Sequence, residues 1–482
     1  MAEQPPAERA RNFTEVACGY TLAEAMREAE RCLLCPDEPC VRGCPVGIDI
    51  PGFIAKIGEK DLRGAYDVLS DTTLLPAICG RVCPQETQCE AVCTVGQTLE
   101  PVAIGRLERI VGDMAIAESW SSVPYIEPVP FKIAIVGSGP AGMACAADMA
   151  KAGCQVTVFE AFQQPGGVLR YGIPDFRLPN QVVDAEIAKL VRLGITFRMN
   201  VLVGRLFTLE QMVGEMGFHA VFVGVGAGAP TFMSIPGESL GRAISANELL
   251  TRVNLMQARD FPSHDTPIGI GRKVAVIGAG NTAMDAMRVC LRLGAEKVMC
   301  VYRRSRDEAP ARAEELHHAE QEGVEFHWLA SPIALLDDGA HGVGGMRCQR
   351  MELGDPDGNG RRRPLPIAGS EFDLDCDTVV FAIGTDANPI LGETSRLRLD
   401  DRGYVSVDDG CATSLEGVFA GGDIVTGAAT VIEAMGAGRR AARAMKRYLG
   451  IVDSDVAYRD GSGDGPFGLG AEQRVFARVR VA

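Results

Sequence analysis

One plan occurs twice in this 482-residue chain, and it leaves few folds open. FKIAIVGSGPAGMACAADMAKAGCQVTVFE (131–160) and GRKVAVIGAGNTAMDAMRVCLRLGAEKVMCVYRR (271–304) each give an apolar strand, a glycine-rich turn, an amphipathic helix, a glycine and a second strand. AVFVGVGAGAP (220–230) and VVFAIGTDANP (379–389) form a second matched pair, each read as the last strand and exit turn of its unit. GVFAGGDIVTGAATVIEAMGAGRRAARAM (417–445) adds a further strand, turn and helix. Strands alternating with helices predict α/β units with parallel sheets. The expected architecture is two nested Rossmann-like dinucleotide-binding domains, the first interrupted by the second and completed near the C-terminus. The boundaries drawn are 131–245 with 378–452 for the first domain and 246–377 for the second.

The turns carry the binding chemistry. In Gly137-Ser138-Gly139-Pro140-Ala141-Gly142 the first glycine makes the turn, the second admits a pyrophosphate against the backbone, and the third lets helix and strand pack closely. The helix N-terminus adds amide donors and the positive end of a dipole. Glu160, at the end of the next strand, is placed to accept hydrogen bonds from a ribose diol. In the second unit Ala279 lies between Gly278 and Gly280, Ala283 stands third, and the counterpart of Glu160 is Arg303, with Arg304 beside it. A carboxylate there would repel a 2′-phosphate, whereas guanidinium groups bind one bidentately, so NADP(H) is expected over NAD(H). Gly422-Asp423, followed by a helix from about Thr430, fits a turn whose Asp holds the ribityl chain of a flavin.

Eight of the sixteen cysteines lie between Cys32 and Cys93, in a stretch that reads as a small helical domain (1–130 with its Pro-rich linker). Thr21-Leu-Ala-Glu24 is a capping box ahead of a helix, and 49–72 and 101–119 also read as helical. The polar residues 1–20 are expected to be a mobile arm, and the tail 453–482 has no assignment. The two runs are Cys32-x2-Cys35-x4-Cys40-x3-Cys44-Pro45 and Cys79-x3-Cys83-x5-Cys89-x3-Cys93. No His precedes His219, so the choice lies between iron–sulfur clusters and two zinc sites of four thiolates each. A Cys before Pro serves the other cluster in two-cluster ferredoxins, which makes Cys44 a crossover ligand. Four cysteines for each of two clusters is the simplest arithmetic. No secretory h-region is seen, and a reducing cytoplasm is expected. The formal net charge of −15 argues against nucleic acid, and no apolar run approaches the ~18 residues of a membrane span. Cys145 and Cys154 are too far apart for a Cys-x-x-Cys redox pair and read as packing residues.

RCLLCPDEPCVRGCPVGIDIPGFI, LLPAICGRVCPQETQCEAVC, PVAIGRLERIVGD, GGVLRYGIPDFRLP and VYRRSRDEAPARAEEL together resemble the small-subunit type of NADPH-dependent glutamate synthase, over about residues 20–450. Relatives of that type include the large subunit of ferredoxin:NADP+ oxidoreductase and the sulfide dehydrogenase alpha chain. The resemblance implies FAD in the first domain, NADPH in the second and two 4Fe-4S clusters. It assigns Cys32, Cys35, Cys40 and Cys93 to one cluster. Cys44, Cys83, Cys89 and Glu108 fall to the other, nearer the flavin, with Cys79 as a spare. It implies FAD contacts at Arg177 and, within GGVLRYGIPDFRLP, at Gly167 and Leu169. NADP contacts are implied at Ala279, Gly280, Asn281 and Thr282 and at Ala382, Ile383 and Gly384.

The resulting expectation is a FAD and iron–sulfur oxidoreductase. Hydride passes from NADPH to flavin with no protein acid or base required, and single electrons leave through the Glu108 cluster and then the Cys32 cluster. A second electron-transfer or synthase subunit, with ferredoxin among the candidates, is the expected partner in a hetero-oligomer. One version is the NADP-side subunit of a ferredoxin:NADP+ oxidoreductase, and another is the electron-delivery subunit of glutamate synthase. A zinc-stapled nucleotide-binding scaffold is the non-enzymatic alternative. Glu314-x2-His317 and Glu315-x2-His318 have di-metal spacing but no second such helix, and are read as a solvated helix. Arg361-Arg362-Arg363 is read as an exposed hairpin flank.

Overall fold

The computed structural model describes residues 1–120, 126–356, 358 and 360–451. Residues 121–125 of the expected linker and the tail 453–482 lie outside them. Both repeated units form five-stranded parallel sheets. In the first, Lys132–Val136 lies between Ala220–Val223 and Gln155–Phe159, with Val418–Ala420 and Thr196–Arg198 at the edges. In the second, Lys273–Ile277 lies between Thr378–Phe381 and Lys297–Tyr302, with Ala243–Ser245 and Glu325–Trp328 outermost. The central strands are apolar on both faces because helices cover both sides of a parallel sheet. The late strand Val418–Ala420 completes the first sheet, so the first domain is interrupted as the repeat predicts.

The boundaries at 245/246 and 377/378 need correction. Ala243–Ser245 and Thr378–Phe381 pair with each other and belong to the second sheet. Each unit keeps its own last strand, because that strand's apolar faces are buried only between its own helices. An antiparallel pair, Ala229–Pro230 with Thr385–Asp386, ties the two units together. A three-stranded antiparallel sheet, 330–374, is inserted in the second unit, and Arg362 flanks its hairpin, half-exposed and paired with Glu308 at 2.8 Å.

The cysteine domain is helical. Thr21 and Glu24 form the capping box of Leu22–Ala29. Asp49 and Asp61 cap Ile50–Gly58 and Leu62–Thr72, so the span 49–72 is two helices. Pro76–Val82 packs backbone to backbone on Ile104–Ala117: a Cβ on Gly80 would stand 2.7 Å from Arg109 Cα. One continuous apolar core runs from this domain into the first nucleotide unit, and it includes Val46, Ile78, Cys145, Ala434 and Met435. The helix Val431–Tyr448 joins them.

The N-terminal arm is anchored. Arg9 is 1% exposed and donates to Glu322 and Gln321 of the second unit. Val16 is buried, and its amide donates to the Phe176 carbonyl. A composition-based reading could not see the partner carboxylate 313 residues away that makes burial of this guanidinium tolerable.

Candidate functional site

The eight expected cluster ligands fall into two groups. Cys32, Cys35, Cys40 and Cys93 line one apolar cavity with Ile50, Ile54 and Val95. Three come from the first run and one from the end of the second, which no spacing rule specifies. Burial, with Cys32 and Cys93 alongside, pushes the Cys40 thiol up to about 12. Cys44, Cys83, Cys89 and Glu108 form the second group, each less than a tenth exposed. Burial first, then the neighbouring Glu108, pushes Cys44 up to about 11. Burial, with Cys79 nearby, also holds the Glu108 carboxyl well above its usual range. All sixteen cysteines are free thiols, so neither group is a disulfide framework. Glu108 Oε1 is buried with no hydrogen-bond partner. A carboxylate in that state is costly unless a cation or metal centre meets it. Four soft thiolates, and three thiolates with one hard oxygen, are donor sets that suit iron–sulfur clusters. Cys79 is fully buried, with its sulfur 3.7 Å from Met435 Sδ and 3.9 Å from Thr73 Oγ1.

At the first nucleotide turn Gly137 has φ +98°, and an added Cβ would stand 2.6 Å from the Gly224 carbonyl oxygen. A Cβ on Gly142 would overlap the Gly137 carbonyl. Gly139 faces open space, the cradle a pyrophosphate requires. Gly167, at φ +55°, closes over it: a Cβ there would stand 2.7 Å from Gly139 Cα. Pro140 opens the following helix. Glu160 accepts from the Ser138 amide at 2.9 Å, from its hydroxyl at 2.5 Å and from the Phe162 amide at 2.9 Å. Ser138, missed in the sequence because any residue fits its place in the motif, also accepts from the Gly166 amide at 3.0 Å and so ties the two glycine loops. Leu169 is fully buried and serves as packing.

Asp423 lies at the start of a short turn of helix, with Oδ1 unpartnered. Burial raises its carboxyl to about 6, and Tyr171, near Asp423 and Glu160, is pushed up to about 12 chiefly by burial. Thr430 caps Val431–Tyr448 through a capping box with Glu433. That helix meets the first turn directly, since a Cβ on Gly438 would overlap the Ala141 carbonyl. Two residues earlier, a Cβ on Gly436 would stand 3.1 Å from Val46 Cγ1. One helix therefore bridges the first glycine turn and the segment beside Cys44.

In the second unit Gly278 has φ +124° and packs on Ala382, while Gly280 faces open space apart from Pro310 at 3.9 Å. Asn281 Oδ1 accepts from the Arg312 amide at 3.0 Å, and the Ala279 carbonyl accepts from the Ala311 amide at 3.2 Å. Thr282, Ile383 and Gly384 are exposed beside it, with Ala382 half-buried. The two arginines part company: Arg303 is exposed, whereas Arg304 is buried and donates to the Arg362 carbonyl at 2.8 Å. Both lie in the bend just after the strand Lys297–Tyr302.

Arg177, a FAD contact by resemblance, directs its guanidinium to Asp285 at 2.6 Å and Glu315 at 3.0 Å. Neighbouring Phe176 lies under Arg288 and Arg292, at 4.6 and 3.9 Å. The helix read as solvated, Ala313–Gln321, buries Glu315 and His318 in this network. Ligand atoms of Glu3, Glu314 and His318 lie within 4.8 Å of one another. Arg9 meets Glu3 at 3.1 Å and Arg312 meets Glu314 at 3.3 Å, so these carboxylates are already compensated.

Residues 9–120 match the family described as dihydropyrimidine dehydrogenase domain II, 4Fe-4S cluster, and 131–438 match pyridine nucleotide-disulphide oxidoreductase. The first match displaces the zinc reading. The glutamate synthase [NADPH] small chain of Halomonas elongata is 35% identical over 459 residues, covering 93% of this chain and 96% of that one. The NADP(+)-dependent formate dehydrogenase subunit beta of Moorella thermoacetica is 39% identical over 436 residues, covering 85% of this chain and 60% of that longer protein. Mycobacterium tuberculosis FprA in complex with NADPH shares the fold, with a TM-score of 0.56 at 22% identity over 67% of this chain and 85% of that one. On these matches the chain belongs to the glutamate synthase small-chain family, oxidoreductases that join a 4Fe-4S domain to paired FAD- and NADP(H)-binding folds.

Proposed function

We propose that the chain is the NADP(H)-side subunit of a ferredoxin:NADP+ oxidoreductase, moving electrons between NADP(H), FAD, two 4Fe-4S clusters and a partner. The observation that carries this reading is the continuity of the Val431–Tyr448 helix from the Ala141 turn to Val46, next to Cys44. When bound, the flavin exchanges a hydride with the nicotinamide and single electrons with the clusters. The chain's own residues supply position. Gly139 and Gly280 leave room for pyrophosphates, Glu160 and Asp423 offer carboxylates to ribose and ribityl hydroxyls, and Arg303 offers a guanidinium to a 2′-phosphate. Cys44, Cys83, Cys89 and Glu108 hold the inner cluster, and Cys32, Cys35, Cys40 and Cys93 the outer.

Leu33 and Leu34 lie 64% and 52% exposed beside the outer group, which suits delivery to a docked protein. The end-to-end match with a glutamate synthase small chain favours a second reading of that partner, a synthase subunit. The formate dehydrogenase subunit beta and the glutamate synthase small chain are parts of larger enzymes, which supports a hetero-oligomer on either reading, with a cytoplasmic location as part of the proposal. Among the described residues no helix is long and apolar enough to cross a membrane.

The test is anaerobic isolation of the native complex, with iron, sulfide, flavin and bound subunits identified. About eight irons per chain and a ferredoxin-type or synthase partner are expected. Four irons would remove one cluster. Glu108→Ala is expected to alter one of two cluster EPR signals, and two unchanged signals would reject Glu108 as a ligand.

A further inference from the structure

A ligand is only as well placed as the groups that hold its backbone, and the segment from Cys79 to Cys89 is held from outside its own domain. The helix Pro76–Val82 ends at Cys83, where its last carbonyls lack the intrahelical donors of the interior. The Arg81 carbonyl accepts there from Arg312 Nη1 at 2.9 Å, a donor 231 residues on in the second nucleotide unit. Arg312 Nη2 donates to Gln85 Oε1 at 3.0 Å. Gln85 in turn organises both flanking cysteines. Its Nε2 donates to the Cys79 carbonyl at 3.2 Å, and its own carbonyl accepts from the Gln88 and Glu90 amides, on either side of Cys89, at 3.0 Å each. Its side chain fills the notch at Gly105 on the helix that carries Glu108, since a Cβ there would overlap the Gln85 amide. Arg312 is 8% exposed, and Glu314 at 3.3 Å and Glu86 at 3.5 Å balance its charge. The loop that carries Arg312 rests on the second glycine turn. Its amide donates to Asn281 Oδ1 at 3.0 Å, the Ala311 amide donates to the Ala279 carbonyl at 3.2 Å, and a Cβ on Gly280 would stand 3.9 Å from Pro310 Cγ.

We propose that Arg312 is a positioning residue that links nucleotide binding at the Gly280 turn to the seating of Cys83 and Cys89. This rests on the reading above, in which that turn takes NADP(H) and those cysteines are ligands of the inner cluster. Binding that orders one end of a short loop lowers the cost of ordering what its other end holds. A pyrophosphate on the turn fixes Asn281, and Asn281 fixes the backbone of Arg312. The guanidinium then grips the Arg81 carbonyl and the Gln85 amide together, because its planar fork presents several donors from one rigid group. Coupling of this kind is reciprocal, so the hold on the Cys83 end is returned as nucleotide affinity. The two halves of the link can be cut separately. Arg312→Ala removes the grip on the cysteine segment and leaves the backbone amide that donates to Asn281.

The test is amide hydrogen–deuterium exchange of the oxidised, anaerobically purified full-length holoprotein, with and without saturating NADP+, which leaves the oxidised cofactors unchanged. In the parent, NADP+ is expected to slow exchange several-fold both in the turn, 278–284, and in the cysteine segment, 79–90. In Arg312→Ala the turn should stay protected while most of the protection of 79–90 is lost. A merely structural role would raise exchange in 79–90 whether or not NADP+ is present, and would leave the response to NADP+ intact. Arg312→Lys serves if the alanine variant loses its iron. A single ammonium does not reproduce a fork that spans two acceptors, so protection of 79–90 below the parent's is expected, and protection equal to the parent's would overturn the proposal. Protection of 79–90 retained in full by Arg312→Ala, or absent from the parent although 278–284 is protected, would overturn it as well. No protection of 278–284 in the parent would reject the nucleotide reading of that turn, and the proposal with it.

Discussion

Arg177 reaches from the first nucleotide unit to Asp285 of the second, 2.6 Å away, with both side chains more than nine-tenths buried. Glu315 closes the triad at 3.0 Å. Removing one partner of a buried pair leaves the other charge uncompensated and costs about 3–5 kcal/mol. Arg177→Ala is therefore expected to lower the thermal midpoint of the holoprotein and to loosen one unit against the other. Flavin reduction by NADPH should slow more than NADPH affinity falls. A variant as stable as the parent would remove the triad from this role.

Exposed Arg303 and buried Arg304 call for separate variants. Hydrogen bonds to charged groups contribute about 1.5–3 kcal/mol, so Arg303→Ala should lower kcat/KM for NADPH some ten- to hundredfold with little change for NADH. Arg304→Ala should instead destabilise the hairpin it supports and affect both nucleotides alike. Equal losses for Arg303→Ala with NADPH and NADH would refute the 2′-phosphate role.

Gly438 has no room for a side chain against the Ala141 carbonyl. Overpacking of this kind costs about 1–3 kcal/mol. Gly438→Ala should push the C-terminal helix off the glycine turn and release flavin, read as lost absorbance at 450 nm after gel filtration. Retained stoichiometric flavin would show that the helix contact is dispensable.

Asp423 ionises near 6 in the fold, because burial outweighs the Ala429 amide bond, against an ordinary 3.8. In the flavin-free protein its contribution is fully present below about pH 4. It is lost as pH rises through about 6, since the unfolded chain ionises first. The loss is on the order of 1–2 kcal/mol once solvent screening is allowed for. Asp423→Asn should flatten that part of the pH–stability curve, measured by urea unfolding, and weaken flavin retention. An unaltered pH profile would show that Asp423 is solvated.

The linear order of residues was enough to reveal two nucleotide units, because strand, glycine turn and helix are local patterns with fixed periods. The turn at Asp423 and the helix start at Thr430 were legible for the same reason. The cysteine runs announced metal, but their division into two groups was not local. Cys93 joins Cys32 only because the helices between them fold back, and Glu108 enters because Gly80 lets two helices touch. The anchored arm, the triad at Arg177 and the parting of Arg303 from Arg304 were likewise invisible. Each depends on a buried charge finding a partner tens or hundreds of residues away, and burial exists only once the chain has closed on itself. Local pattern and spacing thus marked two nucleotide-binding turns and a cysteine-rich metal domain. Tertiary packing decided how those parts are joined, by setting one glycine-notched helix between the Ala141 turn and Val46 beside Cys44, because close approach of backbones exists only in the folded chain.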